Sequence, residues 1–152
     1  TLKLHNGPSK DAPVVMEMHK PFSLVGCCCL RPNFRVTEPG RGASIGEIDD
    51  PCRCCVMDQQ IYGPGKASLL FSTSGSICQM GVCCPLCAPV AFDVAKGGQK
   101  VAKIEKLPMS CEEMCKKTNR FTINFGTVVD PQERKMLLAS AMLLDLEYFE
   151  QK

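Results

Sequence analysis

Residues 130–146 read DPQERKMLLASAMLLDL, and they carry the strongest signal for the fold in this sequence. Asp130 is a residue type that caps helix N-termini, and Pro131 suits the first helical position because it needs no amide partner there. Glu133 follows three residues after the cap, which is the spacing of a capping box. The pattern predicts a helix that begins at Asp130.

From Met136 to Leu146 this helix is apolar on every face apart from Ser140 and Asp145. Such a helix is surrounded by protein or by lipid. Crossing a bilayer takes about 20 apolar residues, whereas this run is shorter and has charged residues on both sides. The length therefore predicts a helix buried in a protein core, and Asp145 is predicted to have a hydrogen-bond partner or to face the helix exit.

Short apolar or alternating runs separated by Gly, Pro, Asn and Asp precede the helix and predict antiparallel strands. Tight turns are predicted at 63–66 and 96–99, and a short polar helix or turn at 110–117. The predicted strands cover residues 1–4, 14–18, 34–36, 44–48, 60–62, 67–72, 76–80, 90–94, 100–106 and 121–125. A mainly β domain that ends in an apolar helix predicts a barrel threaded by that helix.

The length and the net charge of the chain limit the number of domains and the classes of function to consider. With 152 residues the chain has the size of one domain, taken as 1–152. A net charge of only +2 gives no electrostatic footprint for nucleic acid. No phosphate loop, zinc-protease motif or nucleophile elbow is present, and neither histidine has a paired spacing, so the sequence does not predict an enzyme that makes or breaks bonds.

The chain has 12 cysteines, many of them adjacent to another cysteine. Neighbours in a strand point to opposite faces, so such runs are a poor disulfide framework and favour a reducing compartment. Three uses remain open: acylation at a membrane, zinc ligation, and packing of reduced thiols as small apolar side chains. The candidate zinc ligands are Cys52, Cys54, Cys83 and Cys87, although the segment between the two pairs is longer than in compact zinc ribbons.

Three stretches together resemble the C-terminal part of the phospholipid scramblase family: VMEMHKPF (15–22), CCCLRPNFRVTEPGRGASIGEI (27–48) and the segment 119–150, NRFTINFGTVVDPQERKMLLASAMLLDLEYFE. The resemblance implies a Tubby-like antiparallel β-barrel around a C-terminal helix. The chain begins within what resembles an internal strand, so the opening strands are expected to be missing. Residues 1–4 are then expected to lie on an open sheet edge.

The resemblance also implies an activity, namely ATP-independent, bidirectional movement of phospholipids between leaflets, with the membrane as partner and homo-oligomers or protein partners as further requirements. It implies palmitate on Cys27, Cys28 and Cys29 and residence at the cytoplasmic face of the plasma membrane. The alternative is a lipid-anchored or nuclear interaction module without transport activity, stabilised by zinc.

Calcium is a further implication of the resemblance, through an acidic loop next to the last strand. Here Lys117 stands where the first acidic ligand is expected and Asn119 where the second is, so Asp130 is the nearest carboxylate beyond the strand. Calcium needs six to eight oxygen ligands, and a lysine at the first position opposes it. The residues therefore argue against calcium at Asn119 and Asp130, which are predicted to be a surface residue and a helix cap.

Overall fold

The computed structural model describes residues 1–7, 9, 11–19, 33–40, 42–51, 53, 55–116 and 118–149. In this part of the chain nine strands form one antiparallel sheet, and each strand pairs with its neighbours in sequence. The strands are β1 Leu2–His5, β2 Val14–His19, β3 Asn33–Thr37, β4 Ser44–Asp49, β5 Val56–Tyr62, β6 Leu69–Ser76, β7 Val90–Lys96, β8 Gln99–Lys106 and β9 Phe121–Asn124. The helices are α1 Met80–Cys83, α2 Cys111–Lys116 and α3 Pro131–Leu144, and α3 continues into a π-helical turn over Asp145–Phe149.

One face of the sheet is apolar because buried and exposed residues alternate along the strands. In β3, Phe34 and Val36 are buried while Arg35 between them is exposed. The same alternation buries Phe92 and Val94 in β7. These inward side chains pack with α3 into a single core, and each contributes about 1.5–3 kcal/mol by leaving water.

Helix α3 begins as the sequence predicts. The Asp130 carboxylate accepts a hydrogen bond from the Glu133 amide at 3.0 Å, and Pro131 occupies the first helical position. Leu137, Leu143 and Leu144 have no exposed surface. The prediction that this is a core helix is therefore confirmed.

A polar network joins α3 to the sheet. Ser140 has no exposed surface, and its hydroxyl donates to Gln59 Oε1 at 2.7 Å. Gln59 in turn donates through Nε2 to Glu147 Oε2 at 3.2 Å, and the Thr73 hydroxyl lies 3.5 Å from that of Ser140. Buried polar groups cost free energy unless they are paired, so this network favours one rotation of α3 inside the sheet.

The sheet is curved but not closed: within the described residues β1 and β9 are its two edges. Leu4 of β1 and Phe121 of β9 nevertheless line the same groove over α3, so the sheet curls around the helix and leaves a seam along it. Lys3 on the outer face of β1 is exposed. The expected open edge at residues 1–4 is confirmed.

Connections alternate between the two ends of the sheet because consecutive strands are antiparallel. We call one end the cysteine end; the segments that join strands there are 20–32, 50–55, 77–89 and 107–120. The opposite end is the turn end, and its connections are 6–13, 38–43, 63–68, 97–98 and 125–130. Helix α3 begins at the turn end and finishes at the cysteine end.

The predicted strand at 76–80 is wrong. Strand β6 ends at Ser76, and after a turn the chain enters α1 at Met80. The Gln79 side chain takes the place of a strand backbone here: its amide nitrogen donates to the Ala91 carbonyl at 2.8 Å, and its oxygen accepts from the Ala91 amide at 2.7 Å. This single side chain therefore pairs the backbone amide and carbonyl of Ala91 in β7 without a further strand.

The other local predictions agree better with the structure. The tight turn at 96–99 joins β7 to β8 with Gly97 and Gly98 both at positive φ, and the short helix predicted within 110–117 is α2. Strand β5 begins well before the predicted 60–62, because the inward Gln59 is polar and conceals the alternation.

Candidate functional site: the cysteine end of the sheet

Every cysteine of the chain falls in one of the four segments that join strands at the cysteine end. The five described free thiols are all exposed: Cys55, Cys78, Cys83, Cys111 and Cys115. Packing as small apolar side chains, one of the three uses considered from sequence, is therefore wrong for these five. Their exposure leaves them open to chemistry at the surface.

The remaining candidate cysteines are only partly described. Cys27, Cys28 and Cys29, the predicted acylation sites, lie outside the described residues, as do Cys52 and Cys54 of the predicted zinc set. The described ends of β2 and β3 place both attachment points of segment 20–32 at the cysteine end.

One of the four predicted zinc ligands forms a disulfide, which the sequence did not suggest. Cys87 forms a disulfide with Cys84, so its sulfur is not a free thiolate in this structure, whereas Cys83 beside it is free. The sequence argument against disulfides concerned adjacent cysteines, and this pair is separated by two residues. The described residues contain no group of three or more His, Cys, Asp or Glu arranged to hold a metal; zinc at Cys52, Cys54, Cys83 and Cys87 stays a prediction.

The β6–β7 loop, residues 77–89, is held in place by Gln79 and by one close backbone approach. A Cβ on Gly81 would lie 2.5 Å from the Ala88 carbonyl oxygen, so only glycine lets α1 pack against the returning chain. The Met109 amide donates to the Pro85 carbonyl at 2.9 Å and ties the loop to the neighbouring β8–β9 segment.

The β8–β9 segment carries α2 and two of the free thiols. Ser110 and Glu113 form a reciprocal cap: the Ser110 amide donates to Glu113 Oε2 at 2.8 Å, and the Glu113 amide donates to the Ser110 hydroxyl at 3.2 Å. The bond from the Ser110 amide, with help from Arg120, lowers the pKa of Glu113. The cap holds Cys111 and Cys115 one helical turn apart on an exposed helix.

A buried lysine lies where α3 reaches the cysteine end. Lys106 faces inward from the last position of β8, and its Nζ lies 5.0 Å from the centre of the Phe149 ring. Burial lowers the pKa of Lys106, while the negative charges of Asp145 and Glu113 oppose that shift. The lysine therefore places a desolvated amine next to the C-terminal end of α3.

An apolar groove follows the seam between β1 and β9. Its volume is about 430 Å³. The apolar lining comes from both edge strands, from the residue after β9 and from one face of α3: Leu4, Phe121, Ile123, Phe125, Leu138, Ala141 and Met142. Asn119 and Asp145 supply a polar boundary at the cysteine end, where the Asn119 amide donates to Asp145 Oδ1 at 2.6 Å. Asp145 has the hydrogen-bond partner predicted from the sequence.

The two residues considered for calcium are not brought together. Asn119 contacts Asp145 beyond the last turn of α3, whereas Asp130 caps its first turn. The 14 residues of α3 separate these positions by about 20 Å. Lys117, which stands at the first ligand position of the loop, lies outside the described residues.

Sequence reasoning missed the groove and Lys106. Lys106 ends the strand predicted at 100–106, and the residues that share its face in the alternation are the buried Ala102 and Ile104. The period-two pattern itself could have revealed the inward lysine. The groove has no local signal, because it is formed by strands from opposite ends of the chain.

These observations define the class of architecture as a curled antiparallel sheet around a central helix, with the described cysteines at one end of the sheet. The Scramblase family matches residues 10–151, and the chain belongs to this family. No solved structure matches the chain significantly. Within the described residues, none of the helices has both the length and the apolar character needed to cross a membrane.

Proposed function

We propose that the protein moves phospholipids between membrane leaflets in both directions without ATP, acting from the cytoplasmic face of the plasma membrane. The observation that carries this proposal is the family match over residues 10–151. The function is a translocation, so it requires a path for lipid rather than a set of reacting groups.

The seam groove is the part of the molecule best suited to that path. Its volume falls within the roughly 300–1,000 Å³ common for small-molecule sites, and its walls are apolar apart from one end. An acyl chain gains free energy by entering such walls in place of water. Asn119 and Asp145, which are hydrogen-bonded to each other at the cysteine end, would face the polar headgroup.

Attachment to the membrane is assigned to palmitate in thioester linkage to Cys27, Cys28 and Cys29. One acyl chain gives only marginal membrane affinity, so two or three neighbouring chains, or one chain with Lys20 and Arg31 near anionic headgroups, would be needed. These residues belong to the segment that joins β2 to β3 at the cysteine end.

The attachment is tested by hydroxylamine-sensitive acyl capture from cells that express the chain. Replacing Cys27, Cys28 and Cys29 by serine should abolish capture. A matched triple replacement of Cys55, Cys78 and Cys83 should leave the capture through residues 27–29 in place. Capture that survives the first replacement would contradict the assignment.

The lipid path is tested in vesicles that contain a fluorescent phospholipid in both leaflets, with dithionite added outside. A moving lipid loses more signal than the outer leaflet alone can account for. Leu138→Trp fills the groove from a half-exposed position, so it should slow lipid movement while the protein remains folded. Leu69→Trp, an exposed leucine at the turn end, is the control and should move lipid normally.

Two results would contradict the proposal. If the wild-type chain binds the vesicles but moves no lipid, the protein is an anchored interaction module. If Leu138→Trp moves lipid as fast as the wild type, the groove is not the path.

Because Asn119 and Asp130 lie apart, we also expect the rate of lipid movement to be unchanged by calcium, measured in the same assay with and without a chelator.

A further inference from the structure

The β6–β7 loop is the least charged connection at the cysteine end. Residues 77–89 read ICQMGVCCPLCAP and include no charged side chain; the nearest charges along the sequence are Lys66 and Asp93. Three large apolar side chains of this loop point into solvent: Ile77 is 45% exposed, Met80 67% and Leu86 45%. Scattered single apolar residues are normal on a protein surface, but three in one uncharged loop form a local apolar tip.

The backbone of this tip is already hydrogen-bonded, which matters for any apolar surrounding. The Val82 amide donates to Gln79, the Cys84 amide to Met80 and the Cys87 amide to Cys84, at 2.7–3.0 Å. An unpaired backbone group in hydrocarbon costs several kcal/mol. The loop avoids much of that cost before it meets lipid, and the Gln79 clamp keeps its apolar side chains presented outward.

The lack of charge and the exposed apolar side chains of the tip favour lipid as its partner. Met80 and Leu86 are exposed, and Cys78 and Cys83 of the same loop are exposed thiols of low polarity. The adjoining β8–β9 segment adds a further exposed apolar residue, Met114, at the same end.

We propose that residues 77–89 insert into the acyl boundary of a phospholipid bilayer and orient the molecule with its cysteine end toward the membrane. This inference rests on the proposed membrane function and names the surface that meets lipid. In this orientation the polar mouth of the seam groove, at Asn119 and Asp145, opens toward the bilayer. Insertion to the depth of a few side chains, about 5–10 Å, is enough for the three apolar residues.

The absence of tryptophan from the sequence makes a direct test available. Leu86→Trp and Leu69→Trp each introduce one tryptophan, at the cysteine end and at the turn end. Each variant of the full chain is tethered by a tag on a flexible Gly/Ser linker to nickel-chelating lipid in phosphatidylcholine and phosphatidylserine vesicles. The vesicles carry bromine on the acyl chains as quencher. The tether imposes residence, so the test does not depend on whether the chain binds membranes or moves lipid unaided.

The expected result is a blue shift and strong quenching for Leu86→Trp, with neither effect for Leu69→Trp. Adding Met80→Glu to the Leu86→Trp variant should abolish the quenching, because a charge on the tip opposes insertion, whereas adding Val129→Glu at the turn end should not. Quenching that persists with Met80→Glu would mean that the tether merely brings the tip near lipid. That result, equal quenching at both ends, or no quenching at Leu86→Trp would overturn the proposal.

Discussion

The turn end and the cysteine end of the sheet are built by different rules. Every described glycine with a positive φ lies at the turn end, where short connections reverse the chain. The cysteine end holds the five described free thiols, the two short α-helices and the three longest connections between strands. We infer that the turn end mainly stabilises the fold, whereas the longer connections of the cysteine end are available for function. This division is common where a rigid scaffold carries functional loops.

The core that both ends share gives the largest expected effect. Leu143→Asp places a charge at a position with no exposed surface, and an unpaired buried charge costs several kcal/mol out of a total of about 5–15 kcal/mol. We expect this variant to be largely unfolded in a thermal melt followed by circular dichroism. Leu69→Asp at the exposed turn end should lie within about 0.5 kcal/mol of the wild type. An unchanged melting temperature for Leu143→Asp would show that α3 is not the core helix.

Replacing glycines at the turn end should lower the unfolding free energy by different amounts, depending on how closely other atoms approach each glycine. A Cβ on Gly126 would overlap the Val101 carbonyl oxygen, whereas a Cβ on Gly40 would meet nothing nearby; both have positive φ. Gly40→Ala should cost about 1–2 kcal/mol from backbone strain alone, and Gly126→Ala about 1–3 kcal/mol more from the overlap. Urea unfolding measures both. Equal costs would mean that the close approach at Gly126 relaxes without penalty.

At the cysteine end we expect the Gln79 side chain to hold the β6–β7 loop against β7. Gln79→Ala removes both hydrogen bonds to Ala91 and should cost about 1–3 kcal/mol. The amide of Ala91 should also exchange with deuterium faster than in the wild type. Gln99→Ala, at an exposed position of the turn end, is the matched control, with a change below about 0.5 kcal/mol. Unchanged exchange at Ala91 would remove Gln79 from its role as the clamp.

The smallest expected effect is a dependence on pH at the foot of α3. Burial lowers the pKa of Lys106 below its ordinary value of 10.5, so the unfolded chain binds more protons than the folded one between the two pKa values. Stability contributed by this group therefore rises as the pH increases toward 10.5. The unfolding free energy of the wild type minus that of Lys106→Met should increase from pH 8 to pH 10. Ionisation of the thiols, which both proteins contain, cancels in this difference. A difference independent of pH would contradict the burial of the amine.

Much of the fold was predictable because its signals are local. The cap at Asp130, the glycine pair at 97–98 and the alternation in β7 each lie within a few residues of sequence. The error at 76–80 arose because an amide side chain replaced a strand backbone, which no periodicity reveals. The groove could not be predicted, since Leu4 and Phe121 meet only through the curvature of the whole sheet.

The gathering of the cysteines follows from the topology together with the sequence, although neither alone reveals it. Cysteine runs indicated acylation or zinc, but only the pairing order of the strands brings residues such as Cys78 and Cys111 to one end. The sequence therefore indicates that cysteines are functional candidates, and the structure shows that the described ones lie at the same end of the sheet.

If the cysteine end faces the membrane, its exposed thiols should be protected when the chain is bound to vesicles. The vesicle-bound chain and the free chain are treated with a membrane-impermeant maleimide, and the modified cysteines are identified by mass spectrometry. Leu69→Cys supplies a reporter at the turn end. We expect vesicles to slow the modification of Cys78, Cys83, Cys111 and Cys115, whereas Cys at position 69 should react as in the free chain. Natural thiols that react equally with and without vesicles, or protection confined to position 69, would contradict it.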